Sequence, residues 1–203
     1  MKLKRSRKQR VELQFAGKTA VQVYDGANGW KLRPYLNRLD VEPYTQEELK
    51  AASMQSDLDG PLVDYAAKGS KIELVGMEKV EDRDAFKIKV TFKNGQSQHI
   101  WVDAETFLES KMEGTPRRLD GAYHPVEVYF RDYREMHGLM IPFLLETRVL
   151  LNRPAQGLSA LSEKIVLTDV AINPILPDAL FARPQAAAAA AAEPAPAPAG
   201  GNR

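Results

Sequence analysis

Apolar and polar residues alternate with a period of two through most of this chain. Val11, Leu13 and Phe15 alternate with Glu12 and Gln14, and Val21 and Val23 flank Gln22, which predicts two half-buried antiparallel strands. A two-residue turn at Ala16-Gly17 would set Leu13 opposite Ala20 and turn Val21 and Val23 to the other face. A three-residue loop Ala16-Gly17-Lys18 pairs Phe15 with Thr19, Leu13 with Val21 and Val11 with Val23, so the pattern predicts the odd loop.

A second hairpin is more sharply marked. Phe86, Ile88, Val90 and Phe92 alternate with Lys87, Lys89 and Thr91, and Asn94-Gly95 offers the two positive-φ positions of a type I′ turn. That turn pairs Phe92 with Ser97, Val90 with His99 and Ile88 with Trp101. Trp101 then joins the buried apolar face with His99 at its rim, Ile100 and Val102 emerge beside Lys87 and Lys89, and the two lysines face solvent. A sheet that is apolar on one side and patchily apolar on the other needs something laid across it.

Further strands are predicted at 71–77, 107–113, 126–133, 141–151 and 163–170, with a loop through Asn152-Arg153-Pro154 to Gly157, giving about nine strands in a sandwich or an open barrel. Thr45-Gln-Glu-Glu48 is a capping box that opens a short helix over 45–54. A second helix over 57–68 would carry Leu58, Leu62, Tyr65 and Ala66 on one face, tolerate Pro61 in its first turn and end at Gly69 as C′ residue. These two helices are the only non-strand insert, and they are expected to form a movable lid.

Charge changes the picture at the ends. Residues 1–10 hold six basic and no acidic side chains, so a chain of net charge +1 carries −5 on residues 11–203. The first ten residues therefore read as a basic arm, and the body as no nucleic-acid binder. No apolar h-region follows the basic start, so no export signal is expected in the sequence as given. Seven alanines, Ala186–Ala192, a Pro-Ala run and a Gly-Gly-Asn-Arg finish put nothing large into a core. The expected organisation is an arm at 1–10, one domain at 11–184 and a disordered tail at 185–203.

Cysteine is absent, which excludes disulfides, a thiolate metal site, a cysteine nucleophile and a lipid-modified N-terminal cysteine. His99, His124 and His137 have no metal-ligand spacing. No nucleophile elbow or phosphate loop is present, and Asp25-Gly26-Ala27-Asn28-Gly29 reads as a plain turn. Asp57, Asp59 and Asp64 cluster around the second helix, where Asp57 and Asp59 read as N-terminal caps and not as part of a calcium loop. The chain therefore reads as non-enzymatic, with no cofactor and no metal. Its inward aromatics either fill a sandwich core or line a hollow, part-closed barrel, and periodicity alone leaves both open.

Some segments are familiar. Lys18-Thr-Ala-Val-Gln-Val-Tyr-Asp-Gly-Ala-Asn-Gly-Trp30, Asp57-Leu-Asp-Gly-Pro-Leu-Val-Asp-Tyr65, Phe107-Leu-Glu-Ser-Lys111, Val128-Tyr-Phe-Arg-Asp-Tyr133 and Gly138-Leu-Met-Ile-Pro-Phe143 together resemble bacterial outer-membrane lipoprotein-sorting proteins of the LolA-like family. The likeness spans about residues 5–184. It implies an α+β, mainly β fold: an open, part-closed antiparallel barrel with a helical lid over a cavity for acyl chains. The implied function is a periplasmic transport chaperone that takes lipoproteins from an inner-membrane transporter to an outer-membrane acceptor. Burying a CH₂ is worth about 0.8 kcal/mol, so an acyl chain of about 16 carbons loses on the order of 12 kcal/mol on entering water and needs a carrier.

The cavity residues expected on this reading are Leu13, Phe15, Val21, Val23, Trp30, Leu62, Phe86, Ile88, Val90 and Trp101. An envelope-stress regulator that binds lipid, or a cofactor-free enzyme on the same scaffold, is the alternative. Family members normally begin with a signal peptide, an N-terminal helix and one or two more strands, and the lack of these is expected to leave a sheet edge open at Val11–Phe15.

Overall fold

The computed structural model describes residues 1–36, 38–155 and 158–185. The Ala-Pro tail expected from residue 185 lies, from residue 186 on, outside the described residues. Two antiparallel meanders make up the fold. The first runs β1 (Lys2–Lys4), β2 (Lys8–Phe15), β3 (Lys18–Tyr24), β4 (Gly29–Arg33) and β5 (Arg38–Pro43). The second runs β6 (Lys71–Val80), β7 (Arg83–Thr91), β8 (Ser97–Asp103), β9 (Glu109–Leu119), β10 (Ala122–Met136), β11 (Leu139–Ala155) and β12 (Leu158–Val166). Neither sheet closes on itself. The one α-helix among the described residues is α1 (Gln46–Gln55). The contacts divide the chain into two units, Met1–Leu58 with the chain from Ile175 on, and Asp59–Pro174, where the hydropathy pattern predicts one domain.

In the first unit both faces of the sheet are used. Val21, Val23 and Leu32 point to one face and pack with Phe181, which a 3-10 turn at Asp178–Phe181 delivers. The basic N-terminal residues hold that segment. Lys4 Nζ donates to Leu176 O and Asp178 Oδ1, both at 2.8 Å, Lys8 Nζ lies 3.0 Å from Asp178, and Arg10 donates to Leu180 O. Residues 1–10, expected as a basic arm, form β1 and the start of β2, and three of their six cations clamp the C-terminal segment.

The opposite face carries α1. Thr45 Oγ1 accepts from the Glu48 N–H and the Glu48 carboxylate accepts from the Thr45 N–H, the predicted capping box. The same carboxylate takes the Lys31 ammonium of β4 at 2.5 and 2.6 Å. Burial works against the Glu48 charge, yet Lys31 and the Thr45 amide hold the carboxyl below its ordinary value. Gly29 lets Tyr44 close onto the strand, since a Cβ there would meet the ring at 2.0 Å.

Both hairpin registers differ from expectation, in opposite directions. Ala16 and Gly17 are both left-handed, at φ 49° and 72°, and form a two-residue turn that pairs Phe15 with Lys18, Leu13 with Ala20 and Glu12 with Val21. Such a turn matches the strand twist, as do Asp120-Gly121 and His137-Gly138 with the same signs of φ. At Asn94-Gly95 only Gly95 is left-handed. The Asn94 side chain accepts from the Gln96 N–H, Gly95 N donates to Phe92 O and Phe92 N to Gln96 O, a three-residue loop with a glycine bulge. The register therefore slips by one, and Lys87, not Ile88, stands opposite Trp101.

Two further expectations change. Residues 58–69 form successive turns, because Asp64 is left-handed at φ 50° and stops a helix from propagating. Of the two helices predicted only α1 forms, and Asp57 and Asp59 have no second helix to cap. Gly69 has no helix to end but still closes the segment: it is left-handed, and Ser70 N donates to Tyr65 O while Gly69 N donates to Ala66 O. Strand β11 also continues through residues 152–155, where a loop was predicted, and Ala155 pairs with Leu158.

Candidate functional site

Register decides which side chains of the seven-stranded sheet share a face. The pairs Ile72↔Val90, Leu74↔Ile88, Met77↔Phe86, Ile88↔Ile100, Ile100↔Met112, Val128↔Met112 and Phe130↔Leu145 put an apolar surface across β6 to β11. Its middle is sealed: Val90 and Ile100 have no exposed area. Its margin on β6 is open, with Leu74 64% and Met77 59% exposed, and Leu161 and Ile165 of β12 are exposed on the far side.

The other face is charged and closed. Trp101, only 4% exposed, and Tyr129 lie beneath Lys87, Lys111, Arg131 and Arg148, with Lys111 Nζ 4.0 Å from the Trp101 centroid and Arg148 4.3 Å from that of Tyr129. Each cation has an acid: Lys87 meets Glu78 at 2.8 Å, Lys111 meets Glu127 at 2.9 Å, and Arg131 and Arg148 share Glu146 and Glu81. Trp101 Nε1 donates to Glu78 and the Tyr129 hydroxyl to Glu127. Arg148, with Ser162, holds the Glu146 carboxyl down at about 2, whereas burial and Glu127 push the Tyr129 phenol up to about 12. A face whose charges are already paired offers little to a ligand.

The expected cavity residues are accordingly dispersed. Phe86, Ile88 and Val90 lie together on the apolar face of the second unit, whereas Trp101 lies on the charged face behind them. His99 also faces the charged side, its Nδ1 2.9 Å from both Glu113 oxygens, and is not at an apolar rim. Lys87 and Lys89 are half-buried rather than fully exposed. Leu62 sits half-buried in the turn segment. In the first unit Val21, Val23 and Trp30 join the core under Phe181, and Leu13 and Phe15 stand exposed on the opposite face.

Comparison with known proteins returns no matching family model and no matching curated protein. Among solved structures the chain is similar to a LolA superfamily protein from Nitrosomonas europaea, at 15% identity and a TM-score of 0.46 over 84% of this chain and 73% of that one. It is also similar to a candidate outer membrane lipoprotein-sorting protein domain from Vibrio parahaemolyticus, at 16% identity and a TM-score of 0.49 over 86% and 80%. A DUF1329 family protein from Desulfovibrio piger aligns at 16% identity with a TM-score of 0.40 over 69% and 68%.

Sequence reading missed one further feature, a cavity of about 300 Å³ at one end of the seven-stranded sheet, walled by Leu108, Glu109, Phe130 and Tyr133 and by the ion pairs of Arg83 and Arg131. Arg83 and Asp103 are locked together, and the guanidinium keeps the Asp103 carboxyl far below its ordinary value. Glu109 stands opposite Val102, and its carboxylate has no hydrogen bond or ion pair among the described residues. Burial pushes that carboxyl up from its ordinary value. The Tyr133 hydroxyl donates to the Glu109 backbone carbonyl at 2.7 Å. The sequence signal for Glu109 was weak, because an acid in the row Leu108-Glu109-Ser110 reads as an ordinary solvent-facing strand residue.

Proposed function

We propose that this chain is a non-enzymatic carrier that holds the acyl chains of a lipoprotein or other lipid against the apolar face of its seven-stranded sheet. The observation that supports this best is the open apolar margin on β6, where Leu74 and Met77 are exposed next to a fully sealed centre at Val90 and Ile100. Large contiguous apolar surface is costly in water and marks a place where something apolar docks. The charges beside the open margins are paired, Lys79 with Asp84 and Glu163 with Arg117, and every cation of the reverse face named above is paired as well, so the ligand selected is a hydrocarbon and not an anion. The residues quoted above as resembling lipoprotein-sorting proteins point the same way, and on that resemblance the carrier works in the periplasm, between an inner-membrane transporter and an outer-membrane acceptor.

The test is direct. Native mass spectrometry of the gently purified chain should find co-purified lipid, and a fluorescent fatty acid should bind and be displaced by that lipid. Leu74→Asp and Met77→Asp put a charge on the open margin without touching the sealed centre. Each should keep the far-UV circular dichroism spectrum and weaken fatty-acid binding by about 10-fold or more, the loss expected when one large apolar contact is removed. Unchanged binding in both variants would refute the assignment of this face.

A further inference from the structure

We infer that the cavity at the end of the seven-stranded sheet binds a primary alkylammonium group, free or carried by a lipid headgroup, with the Glu109 carboxylate as its counter-ion. The cavity measures about 300 Å³, the lower end of the range in which proteins hold small molecules. Neither Leu74 nor Met77 lines it, so the inference stands apart from the carrier reading of the apolar face.

Charge decides the sign of the ligand. Three carboxylates, of Glu81, Asp103 and Glu109, and two guanidinium groups, of Arg83 and Arg131, belong to the wall. Both guanidinium groups are already taken. Arg83 grips Asp103 at 2.5 and 2.9 Å and Glu105 at 2.9 Å, while Arg131 grips both Glu81 oxygens and reaches Glu146 at 3.2 Å. An anion would have to displace one of these carboxylates and would still face Glu109. Of the five charged residues only Glu109 has no ion pair among the described residues, and it is half-buried. Burial, with no hydrogen bond or cation to answer it, moves its carboxyl up, and a ligand cation would supply that answer.

Acceptors and apolar wall decide the class. The Tyr133 hydroxyl donates to the Glu109 backbone carbonyl at 2.7 Å and the Ser110 hydroxyl to the Trp101 carbonyl at 3.1 Å, so both wall oxygens keep lone pairs for a donor. Burial, and after it the Glu109 charge, push the Tyr133 phenol up, which makes the carboxylate and the phenol neighbours. With the carboxylate these oxygens offer three acceptors to the three N–H donors of a primary ammonium. Val80, which is buried, and Leu108, which is half-buried, give a short alkyl chain an apolar wall. A metal ion does not suit the site: no three His, Asp or Glu side chains among the described residues are placed to hold one, and calcium takes about six to eight oxygens.

Isothermal titration of the full chain with n-hexylammonium near neutral pH should show one site with a dissociation constant of about 1 mM or tighter. Hexanol lacks the charge, hexanoate reverses it and hexyltrimethylammonium lacks the N–H donors, so each should bind about 10-fold or more weakly. Glu109→Gln should keep the far-UV circular dichroism spectrum and weaken hexylammonium by about 10-fold or more while leaving hexanol unchanged, a loss of preference that a merely structural change would not give. If that variant does not fold, the four ligands on the wild-type chain decide. Saturating fluorescent fatty acid should leave hexylammonium binding unchanged, which separates this site from the apolar face. Phosphatidylcholine vesicles with and without phosphatidylethanolamine distinguish the source of the amine: recruitment by the ethanolamine lipid that Glu109→Gln removes assigns a lipid headgroup, and equal recruitment assigns a soluble amine. Hexylammonium that binds no better than hexanol, binds Glu109→Gln as tightly as wild type, or is displaced by fatty acid would overturn the inference.

Discussion

Lys87 and Trp101 stand directly opposite each other on β7 and β8, with the Lys87 ammonium 5.1 Å from the indole centroid and Lys111 at 4.0 Å. The tryptophan is thus a structural anchor beneath paired charges, on the reverse of the apolar face. Trp101→Phe removes the indole N–H bond to Glu78 and part of the cation–π contact, and should cost about 1–2 kcal/mol in urea unfolding. Fatty-acid affinity should stay within about two-fold of wild type. A large loss of affinity in a folded variant would mean that ligand reaches the charged face.

Val90 and Leu74 lie on the same face but differ in cover. Val90 is fully buried, so Val90→Asp forces an unpaired charge into packed surroundings and should destabilise by several kcal/mol, seen as loss of the folded circular dichroism signal at room temperature. Leu74→Asp should change the unfolding midpoint little, by about 0.5 kcal/mol or less.

Glu48 does two jobs where Thr45 does one. Thr45→Ala removes one side of the capping box and should cost about 1 kcal/mol. Glu48→Ala also strands the buried Lys31 ammonium and should cost more, about 2–4 kcal/mol, and Lys31→Met in the same chain should restore much of that loss. Equal costs for Thr45→Ala and Glu48→Ala in chemical denaturation would show that the Lys31 pair adds nothing.

Two carboxyls should move stability in opposite directions with pH. Burial raises the Glu109 value in the folded chain, so its contribution is favourable below the ordinary value of 4.5 and is lost as pH rises through the folded value. Glu109→Gln should therefore be more stable than wild type near neutral pH and show no gain in acid. Arg148 and Ser162 hold Glu146 down at about 2, so its contribution is present above 4.5 and lost as pH falls toward 2. Glu146→Gln should cost about 1–3 kcal/mol near neutral pH, with the difference closing in acid. Thermal unfolding of the three proteins across pH checks both signs.

The sequence by itself determined the elements whose causes are local. Alternation marked β2, β3, β7 and β8, the Thr45–Glu48 capping box marked the start of α1, Gly69 marked a left-handed turn residue, and Asp25 marked a turn in which its carboxylate accepts from the Ala27 and Asn28 amides. It did not determine register. Ala16-Gly17 and Asn94-Gly95 each admit a two-residue or a three-residue loop at a cost of about 1 kcal/mol for placing one more residue at positive φ. That difference is smaller than the gain from burying Val21 and Val23 against Leu32 and Phe181, the last of which is 158 residues from Val23 in sequence. Because side chains alternate with a period of two, each one-residue slip moved a whole set to the opposite face: Leu13 and Phe15 to the α1 side of the first sheet, Trp101 to the charged side of the second. At Ala16-Gly17 tertiary packing decides, since only the folded chain brings Phe181 against Val21 and Val23, whereas at Asn94-Gly95 the hydrogen bonds of Asn94 and Phe92 with Gln96 also hold the longer loop.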